Sequence, residues 1–263
     1  MSPRTYRSAA LVLAAVVAFA AAMAFGTGCR GDPSVAAGTG EVAAVEAPAR
    51  DFEATLAAIA GERARLGRRY AAAGDEATRA AIRAEARAYF REAVVREVFP
   101  AWLGTPWGLG KNSTADRPHA PGMTVACGYF VAAVLENAGL ALSSRYKYAQ
   151  APALAVQKAL APRPADLHRY FSVPAESLAA RIAGLGDGLY IIGLANHIGF
   201  VVVDGGEVRL VHASYTGAQV VTDEPLVSAQ AIADSRPKGY FVTPVMHDDR
   251  LADLWLRGVA VPL

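Results

Sequence analysis

Only two cysteines occur in 263 residues, which excludes a disulfide framework, and their spacing fits no zinc motif. Charge is scarce as well. Residues Asp, Glu, Lys and Arg make up 19% of the chain against 53% apolar residues, a balance that excludes intrinsic disorder over its length. The formal net charge of +2 is too small for a nucleic-acid-binding surface, so no nucleic-acid partner is expected. Even that excess is local. Arg4 and Arg7 are the only charges among the first 28 residues, and without them 24 basic residues balance 24 acidic ones.

What is present begins with an uninterrupted apolar run from Ala9 to Phe25, preceded by the two arginines and followed by Gly26-Thr27-Gly28-Cys29. A positive start, an apolar centre and small residues at its end read as an export signal over 1–28. The run is 17 residues long, at the lower edge for a membrane span, so an uncleaved anchor is the alternative. Small residues directly before Cys29 resemble the bacterial lipoprotein signal, in which the cysteine becomes the lipidated terminus. Gly26 stands where that pattern usually has leucine. A secretory cut after Val35-Ala36-Ala37 would instead discard Cys29. Either processing route leaves Cys127 as the only free thiol; a Cys29–Cys127 disulfide is the other arrangement that an oxidising compartment permits. The expected location is the cell envelope, on the periplasmic side, with the membrane reached through the lipid or the uncleaved segment.

Residues 29–50 are rich in Gly, Ala, Pro and Val and read as a tether. Residues 51–99 change to Ala, Arg and Glu with apolar positions at helical spacing. Phe52, Leu56, Ile59, Leu66 and Tyr70 fit one helix; Ile82, Tyr89, Phe90, Val94 and Val98 fit a second after a break at Gly74-Asp75. A helical hairpin follows, its Arg and Glu residues forming a solvated face. From 100 to 246 glycines, aromatics and β-branched residues take over. Val125–Ala138 reads as a buried helix stopped by Gly139, and short helices are expected over Ala151–Ala161 and Ala175–Ile182. Strands are expected over Gly188–Leu194, His197–Val203, Val208–Ala213, Ala218–Val221 and Gly239–Val245. Helices first and antiparallel strands afterwards make the class α+β. Residues 247–263 read as a C-terminal tail.

Cys127 opens the buried helix, with Thr124 three residues earlier as the expected cap. Unpaired N–H groups and the positive helix end stabilise a thiolate there, and such thiols have pKa values of ~3.5–7.5. Gly128 removes side-chain bulk where a substrate carbonyl would approach. A base must also be within reach. Val203 and Val208 flank the turn sequence Asp204-Gly205-Gly206-Glu207; pairing 203 with 208 puts His197, Gly199, His212 and Ser214 on one face. The two histidines then lie on a diagonal of roughly 7–8 Å, with only glycine opposite His212. A slip of one residue would separate them onto opposite faces. With no third histidine and no carboxylate nearby in the strands, a metal site is not expected. The roles that follow are Cys127 as nucleophile, His197 as its base and later acid, and His212 as the residue orienting His197, with helix-start N–H groups as an oxyanion hole.

The segment Gly104-Thr105-Pro106-Trp107-Gly108-Leu109-Gly110, the helix-borne Cys127, the strand start His197-Ile198-Gly199-Phe200 and the strand end Val211-His212-Ala213-Ser214 together resemble the NlpC/P60 cysteine peptidases. The resemblance covers roughly 104–245. It implies a papain-like domain that cuts peptide stems of bacterial cell walls without a cofactor, through Cys127, His197 and His212. Trp107 takes the place of an active-site tyrosine, and Trp107, Gly128 and Ser214 border the substrate. The family's Asp-Cys-Ser-Gly reads Ala126-Cys127-Gly128-Tyr129 here, and the histidines stand 15 residues apart, a longer hairpin than is usual there. Another peptide or amide substrate, an acyltransferase of the same papain-like group, or a non-catalytic envelope binding or scaffold lipoprotein on the same fold are the alternatives.

Other sequence features carry less. Gly104–Asn112 imitates a phosphate loop but has Thr105 at the first glycine position and Asn112 after Lys111. His119 reads as a loop residue bordering the cleft, His168 as a surface residue. Consecutive His247, Asp248 and Asp249 point apart rather than at one ion. Arg145-Tyr146-Lys147-Tyr148 reads as a groove lining for an acidic peptide or as an amphipathic surface with one packed aromatic.

Overall fold

A computed structural model describes residues 52–263; the export signal, Cys29 and the tether lie outside the described residues. Two helices come first, α1 (Phe52–Ala72) and α2 (Glu76–Ala93). Ile59 and Leu66 form the buried stripe of α1, and Ile82, Ala86 and Phe90 that of α2. Asp75 starts α2 by accepting the Thr78 N–H at 2.7 Å, which ends the break after Gly74. On the outer faces Glu85 bridges Arg65 and Arg69, exposed pairs that add little stability. After α2 the chain winds as a π-helix over Val94–Val98 and ends in the short α3 (Phe99–Trp102). Val94, Val98 and Trp102 are all buried.

The remaining helices are α4 (Cys127–Asn137), α5 (Arg145–Gln150), α6 (Ala153–Leu160), α7 (Ala175–Ala183), α8 (Gln230–Ser235) and α9 (Asp249–Arg257). The strands are β1 (His168–Tyr170), β2 (Gly188–Gly193), β3 (Ile198–Asp204), β4 (Glu207–Ala213), β5 (Val221–Pro225) and β6 (Tyr240–Pro244). They form one antiparallel sheet in the order β1-β6-β2-β3-β4-β5. The class is therefore α+β. Central strands covered on both faces read as unbroken apolar runs, as in Val201-Val202-Val203. One face carries Ile191, Phe200, Val202 and Val211 against α4 and the N-terminal helices. The other carries Tyr190, Ile192, Val201 and Leu210 against α7 and α8.

The first core is continuous from the hairpin to the sheet. Ile59, Leu66 and Phe90 share it with Phe130, Phe200 and Trp255, so residue 99 marks a change of composition without a break in packing. Residues 247–263 also differ from the expected tail. Asp248 accepts the Leu251 N–H at 2.8 Å and caps α9, whose Leu251, Ala252, Trp255 and Leu256 are buried. The acidic residues after His247 are thus a helix start. Trp255 donates its indole N–H to the Ala138 carbonyl at 2.8 Å and packs edge-on to Phe90. A Cβ on Gly67 would lie 2.4 Å from the Leu256 carbonyl oxygen, so glycine lets α1 and α9 touch. Arg83, nearly buried, joins α2 to α9 through Asp253 at 2.7 Å and also holds Glu76 and the Tyr70 hydroxyl.

Two strand readings change: β5 runs over 221–225 rather than 218–221, and β1 was not expected at all. His168, expected at the surface, is the half-buried first residue of β1. In α5 Tyr148 is buried while Tyr146 is exposed, which is the amphipathic reading of that segment. Among the described residues no helix is long and apolar enough to cross a membrane.

Candidate active site

The hairpin of β3 and β4 pairs Val203 with Val208 and Phe200 with Val211, the register derived from its turn. Gly205 and Gly206 both have positive φ, 58° and 88°, as a two-residue turn of this kind demands. Continuing the register sets Gly199 beside His212; a Cβ on Gly199 would lie 2.9 Å from that of His212. The missing side chain is what lets the His212 ring lie down toward His197. Nε2 of His197 and Nδ1 of His212 are 2.7 Å apart, with the rings nearly perpendicular. Both rings are inside the protein, His197 at 7% exposure and His212 at 0%.

Cys127 is the first residue of α4 and carries a free, half-buried thiol. The backbone N–H groups of Ile198, Gly128 and Cys127 itself favour the charged form of this thiol. Ile198 opens β3 and follows His197 in the chain. The backbone of His197 is fixed there, its carbonyl accepting the Leu194 N–H at 2.9 Å.

Two expectations around the helix start are corrected. Thr124 does not cap α4; the capping position is Ala126, without a side-chain bond. The Thr124 hydroxyl instead bonds Ser113 at 2.9 Å, packed so close to Gly108 that a Cβ there would meet it at 2.4 Å. Gly128 does not open space for a carbonyl either. A Cβ on Gly128 would lie 2.0 Å from the Ala149 carbonyl oxygen, so the glycine admits the end of α5. Its contribution at the site is a backbone N–H.

The electrostatics also differ from expectation. Burial pushes the Cys127 thiol up, and the three backbone N–H groups oppose that without reversing it. Burial likewise pushes His197 down to about 3, with the neighbouring His212 adding to the effect. His212 is lowered by burial too, against the opposing pull of the Glu224 carboxylate. Both the thiol and the imidazole are thus neutral at rest, rather than a preformed thiolate and imidazolium. A pH dependence of stability follows. His197 is uncharged in the folded protein down to about pH 3, whereas the unfolded chain protonates it near 6.5. Its burial costs nothing above 6.5 and destabilises progressively as pH falls from there toward 3. Urea midpoints between pH 7 and 4 should fall more steeply for the wild type than for His197→Ala; equal slopes would contradict a buried neutral His197.

Sequence reasoning missed two residues. Glu224 of β5 meets Nε2 of His212 through Oε1 at 2.9 Å, which corrects the expectation of no carboxylate nearby in the strands. β5 pairs His212 with Thr222, so Glu224 is the next residue on the same face. Tyr215 was the other. Its ring lies 5.3 Å from that of His197 and 6.3 Å from that of Trp107, and its hydroxyl donates to Asp234 at 2.7 Å. Burial and Asp234 push the phenol up to about 12.

Trp107 is held by its backbone between the approach to α4 and the β4–β5 connection, bridging Val125 and donating its N–H to Gln219 at 2.8 Å. Trp107, Tyr215 and His197 thus make a continuous aromatic wall. Ser214 lies buried after β4, but its hydroxyl is engaged by Thr216 within a tight turn, so it is not free to meet a substrate. His119 adopts a left-handed backbone with φ of 51°, its N–H bonded to Thr105. Among the described residues no group of three His, Cys, Asp or Glu side chains could hold a metal ion. No protein family, curated protein or solved structure matches the chain.

Proposed function

We propose that the protein is an exported, lipid-anchored cysteine hydrolase with a papain-like, NlpC/P60-type site that cleaves an amide bond in cell-wall peptide. The observation that carries this reading is the 2.7 Å bond between His197 and His212, the base and orienter expected to serve the helix-borne Cys127. Because Nε2 of His197 is engaged, Nδ1 is the nitrogen left to exchange a proton with Cys127. Nδ1 takes the thiol proton as sulfur attacks the scissile carbonyl carbon. The tetrahedral oxyanion receives the uncapped N–H groups of Cys127 and Gly128. The Nδ1 proton then passes to the departing amine, leaving a thioester. Water, deprotonated by the same nitrogen, hydrolyses it and frees the sulfur. A neutral resting pair makes His197 a base at the moment of attack.

The aromatic wall of Trp107 and Tyr215 offers a substrate flat apolar surface. Export through residues 1–28 and attachment through Cys29 would hold the enzyme in the envelope, where wall peptide is found. The test is digestion of purified wall fragments by the full chain, with products read by mass spectrometry. New free amine ends should accumulate with the wild type and be absent with Cys127→Ala. No cleavage by the wild type, together with slow alkylation of Cys127, would favour a non-catalytic envelope binding module. The raised thiol is the feature that gives this second reading its footing.

A further inference from the structure

The hydrogen bonds behind His197 end on a carboxylate, and that gives them a direction. A carboxylate oxygen accepts, so Nε2 of His212 carries the hydrogen in its 2.9 Å contact with Glu224. A neutral imidazole has a single N–H, so Nδ1 of His212 is then an acceptor. The 2.7 Å contact with His197 requires His197 to donate from Nε2, which strips its Nδ1 of hydrogen. We propose that Glu224 is a positioning residue that sets the tautomer of His212 and, through it, that of His197, leaving Nδ1 of His197 as the only basic nitrogen. The consequence for catalysis rests on the hydrolase reading; the tautomers themselves do not.

Burial makes the assignment consequential. His212 is fully enclosed, so no solvent substitutes for a lost partner at Nε2. Without Glu224 its hydrogen is free to move to Nδ1. Two donors would then face each other unless His197 also reversed, and a reversed His197 would aim a proton where it should receive one. Loss of an orienting carboxylate can cost ~10⁴-fold in a related triad for this reason. Glu224 reaches His212 from an edge strand and is only partly buried, so its replacement does not hollow the core.

The test is nitrogen NMR of the full chain with labelled histidine; five histidines keep the spectrum assignable, and N–H and bare ring nitrogens resonate far apart. In the wild type, both His197 and His212 should appear as Nε2–H tautomers. Glu224→Gln keeps an accepting oxygen and should preserve both. Glu224→Leu should scramble both, and slow Cys127 alkylation by ~10-fold or more. An Nδ1–H tautomer at His212 in the wild type overturns the proposal whether or not the leucine variant folds. So do tautomers unchanged in Glu224→Leu. Intact Nε2–H tautomers in a wild type that cleaves no amide would uphold the role of Glu224 while removing the hydrolase reading.

Discussion

On the proposed hydrolase reading, His197→Ala should lower amide turnover by about 10²–10⁴-fold, and Cys127→Ala should abolish it, with the double variant no worse than the cysteine change alone. General-base assistance of this kind is typically worth ~10²–10⁴-fold. Burial raises the thiol and leaves almost no thiolate without a base, while the lowered His197 is itself a weak one. In the proposed mechanism both residues serve one proton transfer, so their losses do not add. Alkylation of Cys127 gives a second reading of the same step and should slow in His197→Ala. Thermal melts are needed beside it, because the missing imidazole leaves Nδ1 of His212 buried and unpaired. A His197→Ala variant that folds normally and keeps a tenth or more of the wild-type turnover would refute the assignment of His197 as base.

Trp255→Ala should destabilise the fold by ~3–5 kcal/mol, the range for emptying a large buried aromatic site. Trp255 is completely enclosed. Its ring touches Tyr89 and Phe90 from α2, and its N–H satisfies the Ala138 carbonyl at the end of α4. Truncation therefore opens a cavity and orphans a carbonyl at the junction of α2, α4 and α9. The urea midpoint should drop accordingly, with the hairpin and the sheet still unfolding in one transition. A loss under ~1.5 kcal/mol would mean that neighbouring side chains collapse into the space.

How far the sequence could be read depended on where the deciding force lay. The β3–β4 register was legible because two glycines between Asp204 and Glu207 admit one tight turn, and the alternation of side chains follows from it. The helix beginning at Cys127 was legible from its apolar spacing. Glu224 was not, because Thr222-Asp223-Glu224-Pro225 has the composition of a turn; only pairing with β4 makes it a strand. Continuing the sheet one strand beyond His212 would have found it. The role of Gly128 was hidden for a different reason. What fills the space of its absent side chain, Ala149, is 21 residues away and arrives only when α5 docks. The thiol shift was misjudged because dipole and N–H effects are visible locally, whereas burial by distant elements is not.

The π-helix at Val94–Val98 has a bearing on which insertions and deletions this chain can survive. Buried residues from Ile82 to Trp102 recur at every fourth position: Ile82, Ala86, Phe90, Val94, Val98, Trp102. An α-helix advances ~100° per residue, so a four-residue step overshoots a full turn by ~40° each time. Five such steps in regular winding would carry Trp102 to the far side of the rod. The wider π turns take out about half of that drift, and the Trp102 ring packs edge-on to Phe130. Removing one residue from 94–98 would restore ordinary winding locally while leaving the azimuth of everything after it nearly unchanged. The wide turn is thus the place where this helix can lose one residue and keep the side chains after it on the same face.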